Sequence, residues 1–200
     1  MQQIMPITES PQEYASLGRD YPFPQPAGCP YSDCLMPIPL KKHGFYLRYL
    51  IDSGFYGKIL IRRYYCPYCG RTVSYLPSFC LPYFQYSLVL IYLVISGYFQ
   101  DELSRNQILA MVRAQYEGLQ LEEQQLSFYI HRFLRNLNRI KVGIRQLLPE
   151  AVLPEEMQDK NKGTKNMLAI INSGFNDIQT FAQRFFDSCR HSFLSPCKIF

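Results

Sequence analysis

The sequence predicts an α+β protein, in which a small metal-stabilised β-hairpin precedes a mainly α-helical region and a C-terminal helix. Two observations carry this prediction. Two pairs of cysteines enclose a run of β-type residues between Cys29 and Cys69, and after this run apolar residues recur at the spacing of amphipathic helices. A chain of 200 residues is long enough for one ordinary domain or two small ones.

The first 28 residues contain five prolines and show neither a helical nor an alternating apolar period. Too little apolar surface recurs there to offset the entropy of ordering the chain. The sequence therefore predicts an extended, partly disordered arm over residues 1–28.

The two cysteine pairs have the spacing of metal ligands. Cys29 and Cys34 form a C-x4-C pair, and Cys66 and Cys69 form a C-x2-C pair. The β-type runs at 45–51 and 58–65, joined by 52–57, predict a hairpin that brings the two pairs together. Four thiolates in a tetrahedron suit Zn²⁺. The sequence therefore predicts a zinc ribbon over residues 29–76, with Gly44 and Gly70 at positions that need positive φ.

Two alternatives to four zinc-bound thiolates stay open. His43 could replace one cysteine as a ligand, or the cysteines could be free or disulfide-bonded. Disulfides are disfavoured because residues 1–20 show no secretory segment, and the odd remainder of Cys80, Cys189 and Cys197 fits a reducing cytoplasm. Four protein ligands leave no position for water, so the metal is expected to be structural.

Residues 72–100 carry no charge, which raises the possibility of a transmembrane helix over 79–99. Polar and helix-breaking residues interrupt that stretch and leave Leu88–Ile95 as its longest apolar run. A run of eight is typical of a buried helix, and we expect no membrane insertion.

A helix-turn-helix region is predicted over residues 77–148, with helices at about 100–118 and 121–148. The second helix has an apolar stripe that runs from Leu126 to Leu147, and its other face is basic and polar. Arginine and amide side chains contact base edges and phosphates. The residues predicted to contact DNA from this face are Gln125, Arg132, Arg135, Asn136 and Arg139.

The chain ends with a predicted linker at 149–166 and a C-terminal helix and tail at 167–200. The helix carries an apolar stripe that includes Leu168, Phe175, Phe181 and Phe185 and has a possible interruption at 173–174. One helix cannot bury such a stripe alone, so it must pack on the helical core or on a partner chain.

The segment from Arg62 to Ser74, with the Cys-Pro-Tyr-Cys-Gly-Arg-Thr motif, resembles part of a known ribbon. It is similar to the closing half of the zinc ribbon at the N-terminus of many prokaryotic insertion-sequence transposases and their accessory proteins. The resemblance covers about residues 29–145, although the C-x4-C pair departs from the commoner C-x2-C. It implies double-stranded DNA as the partner and Arg71 as a further contact. The β-type run 58–65 itself places Arg62 and Arg63 on opposite faces beside aromatic residues, where such a strand can lie against phosphates, so both are also predicted DNA contacts.

The transposases that the chain resembles cut DNA with a carboxylate-bearing, ribonuclease-H-like domain. Only about fifty residues follow position 148, and Asp159, Asp177 and Asp187 lie in no βαβ pattern. We therefore expect no enzyme activity and no catalytic residues. The predicted function is a zinc-dependent, cytoplasmic DNA-binding protein related to the recognition part of a transposase. Self-association and a separate transposase subunit stay open as partnerships, and the alternatives are a ribbon-based protein-interaction module or a transcription regulator.

Overall fold

A computed structural model of the chain describes residues 1–116, 118–153 and 160–196. Within these residues it contains one four-stranded sheet and seven α-helices, which confirms the α+β class. The strands are β1 Gln2–Met5, β2 Lys41–Asp52, β3 Phe55–Tyr65 and β4 Thr72–Pro77. The helices are α1 Pro11–Leu17, α2 Leu88–Phe99, α3 Arg105–Gln115, α4 Glu123–Arg135, α5 Leu137–Leu147, α6 Lys160–Gly174 and α7 Ile178–Cys189.

The predicted hairpin is formed by β2 and β3, which pair antiparallel with Leu47 opposite Leu60. The chain reverses at Ser53 and Gly54, where Gly54 adopts a φ of 70°. The register shifts between Lys42 and Gly44, and Gly44 has a φ of 115° at this irregularity. Strand β4 lies antiparallel to β3, and β1 lies parallel to β4 at the edge of the sheet. The sequence analysis missed both of these strands.

The expectation of a disordered arm over residues 1–28 is wrong. Strand β1 completes the sheet, and α1 begins at Ser10 with a capping box in which Ser10 and Glu13 bond each other's backbone N–H. Tyr14 is 1% exposed and its hydroxyl donates to the carbonyl of Leu60 at 2.6 Å. The few apolar residues of this segment have no period of their own because their partners lie on the distant sheet.

Two apolar cores flank the junction of the sheet and the helices. The sheet core lies under β2, β3 and β4 and contains Met5, Tyr14, Leu50, Ile59, Ile61, Leu76, Phe79 and Cys80. The helical core is larger and draws buried side chains from all six helices α2–α7. Ser78 connects the two parts, since its hydroxyl contacts the side-chain oxygen of Gln179 on α7 at 2.7 Å.

The long helix predicted over 121–148 is two helices, α4 and α5, that break at Asn136. Asn136 is fully buried, with φ −96° and ψ 2°, and its Nδ2 donates to the carbonyls of Phe193 and Ser195 at 2.8 and 2.9 Å. The amide therefore ties the C-terminal segment into the break. The helix predicted over 100–118 is shorter than expected and begins only at Arg105.

The interruption expected at 173–174 is confirmed, because α6 ends at Gly174 and α7 begins at Ile178. The stripe on these helices packs into the helical core, which is one of the two outcomes predicted for it. The predicted linker at 149–166 is helical from Lys160 onward, and its residues 154–159 lie outside the described part. Across the described ranges, no helix combines the length and apolar character needed to cross a bilayer.

Candidate metal centre and basic surfaces

The four cysteines predicted as ligands converge at one end of the sheet. One sulfur from each of Cys29, Cys34, Cys66 and Cys69 lies within 4.8 Å of the others. The Sγ atoms of Cys29 and Cys69 are 3.8 Å apart, and those of Cys34 and Cys66 are 3.9 Å apart. A tetrahedron with metal–sulfur bonds of about 2.3 Å has edges of about 3.8 Å. The four thiols can therefore hold one metal ion.

Each cysteine pair closes a tight backbone turn. In the first pair, the N–H groups of Cys34 and Leu35 both donate to the carbonyl of Tyr31 at 2.9 Å, and Leu35 has a φ of 46°. In the second pair, the N–H of Gly70 donates to the carbonyl of Cys66 at 3.0 Å, and Gly70 has a φ of 70°. In both pairs the residue after the second cysteine thus takes a left-handed conformation, which turns the chain around the sulfurs.

The surroundings of the sulfurs affect their protonation differently. Burial raises the pKa of the Cys29 thiol to about 12, although the N–H of Tyr31 opposes this shift by donating to it. The Arg71 side chain donates to Cys69 and lowers the pKa of that thiol to about 6. Cys69 is therefore the thiol that ionises readily at neutral pH, as a metal ligand must.

Arg71 also connects the two cysteine pairs. Its Nη2 lies 2.6 Å from Oδ1 of Asp33, and its guanidinium lies 3.9 Å from the centre of the Tyr31 ring. Asp33 and Tyr31 belong to the first pair, whereas Arg71 directly follows the second. The DNA contact predicted for Arg71 stays a prediction, since its side chain is 37% exposed while it makes these contacts within the metal centre.

The remaining candidate ligands lie elsewhere. His43 is exposed, stacks on Tyr65 with ring centres 5.8 Å apart, and is not part of the thiol cluster. Cys80 is buried in the sheet core, where burial raises the pKa of its thiol to about 12. Cys189 lies at the end of α7, and Cys197 lies outside the described residues.

The arginines of β3 point to different environments. Arg62 is 8% exposed, with its guanidinium 4.5 Å from the centre of the Phe45 ring and 5.4 Å from that of Tyr64. Its burial leaves it unable to reach a nucleic acid, so the DNA contact predicted for Arg62 is not carried further. Arg63 is half-buried and donates from Nη2 to Oγ1 of Thr72 at 3.2 Å. Of the two, Arg63 remains accessible to a ligand.

The residues predicted to contact DNA from α4 and α5 differ in their surroundings. The three arginines are at least partly exposed, whereas the side chains of Gln125 and Asn136 bond within the protein. Arg135 is exposed near the end of α4, and Arg132 lies 5.0 Å from the centre of the exposed Phe128 ring. Arg139 on α5 is half-buried. The side-chain oxygen of Gln125 instead accepts from the N–H of Glu122 at 3.0 Å and contacts the hydroxyl of Tyr86 at 3.2 Å.

Asn136 does not reach the surface at all, because its amide bonds the C-terminal segment. The DNA contact predicted for it is therefore a misreading of a structural residue. The helical period placed Asn136 on the polar face only because no residue pattern marks the break between α4 and α5.

Sequence reasoning also missed Tyr83, which lies in the connection between β4 and α2. This residue is 80% exposed and has a φ of 73°. Pro82 before it is a turn signal, since proline favours the second position of a β-turn. Nothing in the sequence marks the ring of Tyr83, among sixteen tyrosines, as exposed.

Residues 29–113 match a protein family described as "Domain of unknown function (DUF6431)". The matched span begins at the first cysteine of the cluster and extends into α3, so it contains the whole candidate metal centre. No curated protein matches the chain, and no solved structure does.

Proposed function

We propose that the chain is a zinc-dependent DNA-binding protein, related to the recognition part of a transposase. Zinc is assigned a structural role at Cys29, Cys34, Cys66 and Cys69. DNA is assigned to a basic surface on α4 and α5. The two assignments rest on different observations and are tested separately.

The choice of zinc follows from the donor set and its geometry. Four soft sulfurs at tetrahedral spacing, on two tight turns that hold them in place, suit Zn²⁺ better than a hard cation such as Mg²⁺. All four positions are taken by protein, so the ion would stabilise the fold and bind no substrate. The small apolar cluster beside it, formed by Cys29, Leu40, Tyr64, Cys66 and Val73, is too small to hold this end of the sheet alone.

The observation that supports DNA binding is the positive charge of α4 and α5. Five cations and no acidic residue occur between Glu123 and Glu150, and they are Arg132, Arg135, Arg139, Lys141 and Arg145. All five are at least partly exposed. Such a run on two consecutive helices produces a local positive potential that attracts the phosphate backbone.

The packing of the helices supports the same surface. Helices α2, α3 and α4 contact one another in pairs, as the helices of a three-helix DNA reader also do, although such contacts are common to many helical folds. An ion pair of 3.5 Å between Arg105 and Glu123 joins the first turns of α3 and α4. Residues 116–122 between them form a longer connection than the usual three- or four-residue turn.

The transposase relationship rests on the resemblance of the segment 62–74. The competing role as a protein-interaction module relied on the ribbon together with an exposed apolar C-terminal helix. That stripe is buried in the helical core, with Phe181 and Phe185 at 0% exposure. The structure therefore offers no apolar helix face at α7 for a protein partner.

Metal content and DNA binding of the purified protein test the two assignments. We expect one zinc per chain by mass spectrometry and binding to random duplex DNA that weakens steeply between 50 and 200 mM salt, by ~10³-fold for about six phosphate contacts. Arg132→Ala/Arg135→Ala should reduce duplex affinity at least ~10-fold. The control Lys160→Ala/Lys165→Ala removes the same charge from α6 and should have little effect. Equal losses in both variants would reject the α4 surface, and a metal-free folded protein would reject the zinc site.

A further inference from the structure

The connection between β4 and α2 contains a turn that presents an aromatic ring to solvent. The N–H of Phe84 donates to the carbonyl of Leu81 at 3.2 Å, which closes a β-turn with Pro82 and Tyr83 at its centre. Leu81 and Phe84 are buried on either side, whereas Tyr83 is 80% exposed. Both ends of the turn are therefore buried in the protein, while the ring of Tyr83 faces solvent.

Tyr83 occupies the turn at a cost to stability. Its φ of 73° belongs to the position of a type II turn that normally takes glycine, and a bulky residue there is strained. The ring makes no compensating burial. The conformation is fixed from the sheet, because Arg48 donates from Nη2 to the carbonyls of both Leu81 and Phe84. A strained residue whose side chain is exposed, on a turn whose backbone is held in place, is typical of a binding residue rather than of a folding one.

The ring borders a cleft whose chemistry fits a nucleotide. The cleft has a volume of about 490 Å³, and its lining includes Tyr46, Arg63, Thr72, Ser74 and Tyr83 without a carboxylate side chain. Arg63 supplies a positive charge, and the hydroxyl groups of Thr72 and Ser74 supply hydrogen-bond partners. Aromatic rings beside a guanidinium are the combination with which proteins bind unpaired bases and their phosphates.

We propose that Tyr83 and Arg63 form a subsite for one unpaired nucleotide of DNA. A base stacks on the ring of Tyr83, and the adjoining phosphate is bound by Arg63. This inference rests on the proposed DNA-binding function and names a second contact region for the same partner. It predicts that the protein binds a duplex with a single-stranded overhang more tightly than the blunt duplex.

The subsite lies next to the surface proposed for duplex DNA. Phe84, the neighbour of Tyr83, packs against Phe128 of α4 with ring centres 6.1 Å apart. The guanidinium of Arg132 lies over that same Phe128 ring. The turn that carries Tyr83 is therefore in direct contact with α4, so one DNA molecule with a duplex end and an overhang can reach both.

The test measures fluorescence anisotropy of a blunt duplex and of the same duplex with a five-nucleotide overhang, using the zinc-loaded full chain. We expect the overhang to raise affinity ~10-fold, as stacking of one base would, and Tyr83→Ala to abolish that gain without changing blunt-duplex affinity. Tyr83→Phe keeps the ring and should keep the gain. Tyr56→Ala is the matched control, because Tyr56 is 79% exposed at the hairpin tip and should leave both affinities unchanged.

Tyr83→Gly separates a binding role from a structural one. Glycine relieves the strained φ, so Tm should rise by a few degrees (~2–4 °C) while the overhang gain is lost. A wild-type protein that binds blunt duplex but gains nothing from the overhang overturns the subsite and leaves the proposed function standing. The same holds if Tyr83→Ala keeps the full gain. A wild-type protein that binds neither DNA overturns both.

Discussion

Nη2 of Arg71 lies 2.6 Å from Oδ1 of Asp33, so one guanidinium joins the two cysteine pairs of the candidate metal centre. The same side chain donates to the sulfur of Cys69. Arg71 thus stabilises a thiolate of the second pair while it bonds the Asp33 carboxylate between the cysteines of the first pair. Side chains that orient and charge metal ligands in this way usually affect metal affinity almost as strongly as the ligands themselves.

Replacing Arg71 should therefore weaken metal binding without removing a ligand. We expect Arg71→Ala to lower zinc affinity ~10–100-fold, measured by competition with a chelator at pH 7. Asp33→Asn is the control and should lower affinity far less, because it leaves the bond between Arg71 and Cys69 in place and removes only an exposed ion pair. Similar losses in the two variants would show that the ion pair, and not the contact with sulfur, is what matters.

The metal centre could be predicted from the sequence because its determinants are local. Cys29 and Cys34, like Cys66 and Cys69, are close in the chain, and the hairpin between the pairs has its own β-type pattern and a turn at Gly54. The helices were predictable for the same reason, since an apolar stripe needs no knowledge of its partner. Helical structure was correctly predicted over much of the chain after residue 87, but α1 was missed and α4 and α5 were predicted as one helix.

The features that could not be predicted depend on contacts between distant residues. Strand β1 has four residues and is recognisable only from its pairing with β4, about seventy residues later. The break at Asn136 depends on carbonyls 57 and 59 residues further along. From its local sequence Arg62 resembles a surface cation, because only the fold places the rings of Phe45 and Tyr64 against its guanidinium. In each case a polar or irregular local pattern is overruled by tertiary packing.

Asn136 should be essential for stability and not for DNA contact. Asn136→Ala leaves the carbonyls of Phe193 and Ser195 without these donors in a buried site, so we expect a loss of ~2–4 kcal/mol in the free energy of unfolding. Urea denaturation followed by circular dichroism measures it. Asn138→Ala, at an exposed position two residues later, should change the free energy by less than ~0.5 kcal/mol. Comparable effects at the two positions would contradict the buried role.

Cys80 should make stability fall at alkaline pH. Burial raises the pKa of its thiol to about 12 in the folded chain, whereas an unfolded thiol titrates near ~8.5. The unfolded state therefore loses this proton first, so the contribution of Cys80 to the free energy of unfolding should be constant below about pH 8.5 and decline as pH rises above it. Tyrosines ionise in the unfolded chain only near pH ~10, so the window from ~8.5 to ~10 belongs to thiols.

Cys80→Ala tests this assignment through the slope of the free energy of unfolding against pH, and not through the overall change in stability. The substitution leaves a cavity that lowers stability at every pH, but it should flatten the decline between pH ~8.5 and ~10 by up to ~1.4 kcal/mol per pH unit. Cys189→Ala is the control. Burial raises the pKa of that thiol as well, but Cys189 is half-exposed, so its effect on the slope should be smaller. An unchanged slope in Cys80→Ala would show that the buried thiol does not control alkaline stability.

The contact between α5 and α7 depends on the absence of a side chain at position 143. A Cβ atom added to Gly143 would lie 2.2 Å from Cε2 of Phe185, a ring that is itself fully buried. Gly143→Ala must therefore displace Phe185 or separate the helices, and we expect it to lower the free energy of unfolding by ~1–3 kcal/mol. Gly97→Ala in α2 is the matched control, because its Cβ would meet its nearest neighbour, on Ile108, at an ordinary 3.5 Å. There the better helix propensity of alanine should raise stability by ~0.5–1 kcal/mol. Opposite signs in urea denaturation are expected, and a stabilised Gly143→Ala would show that α5 and α7 do not pack this closely.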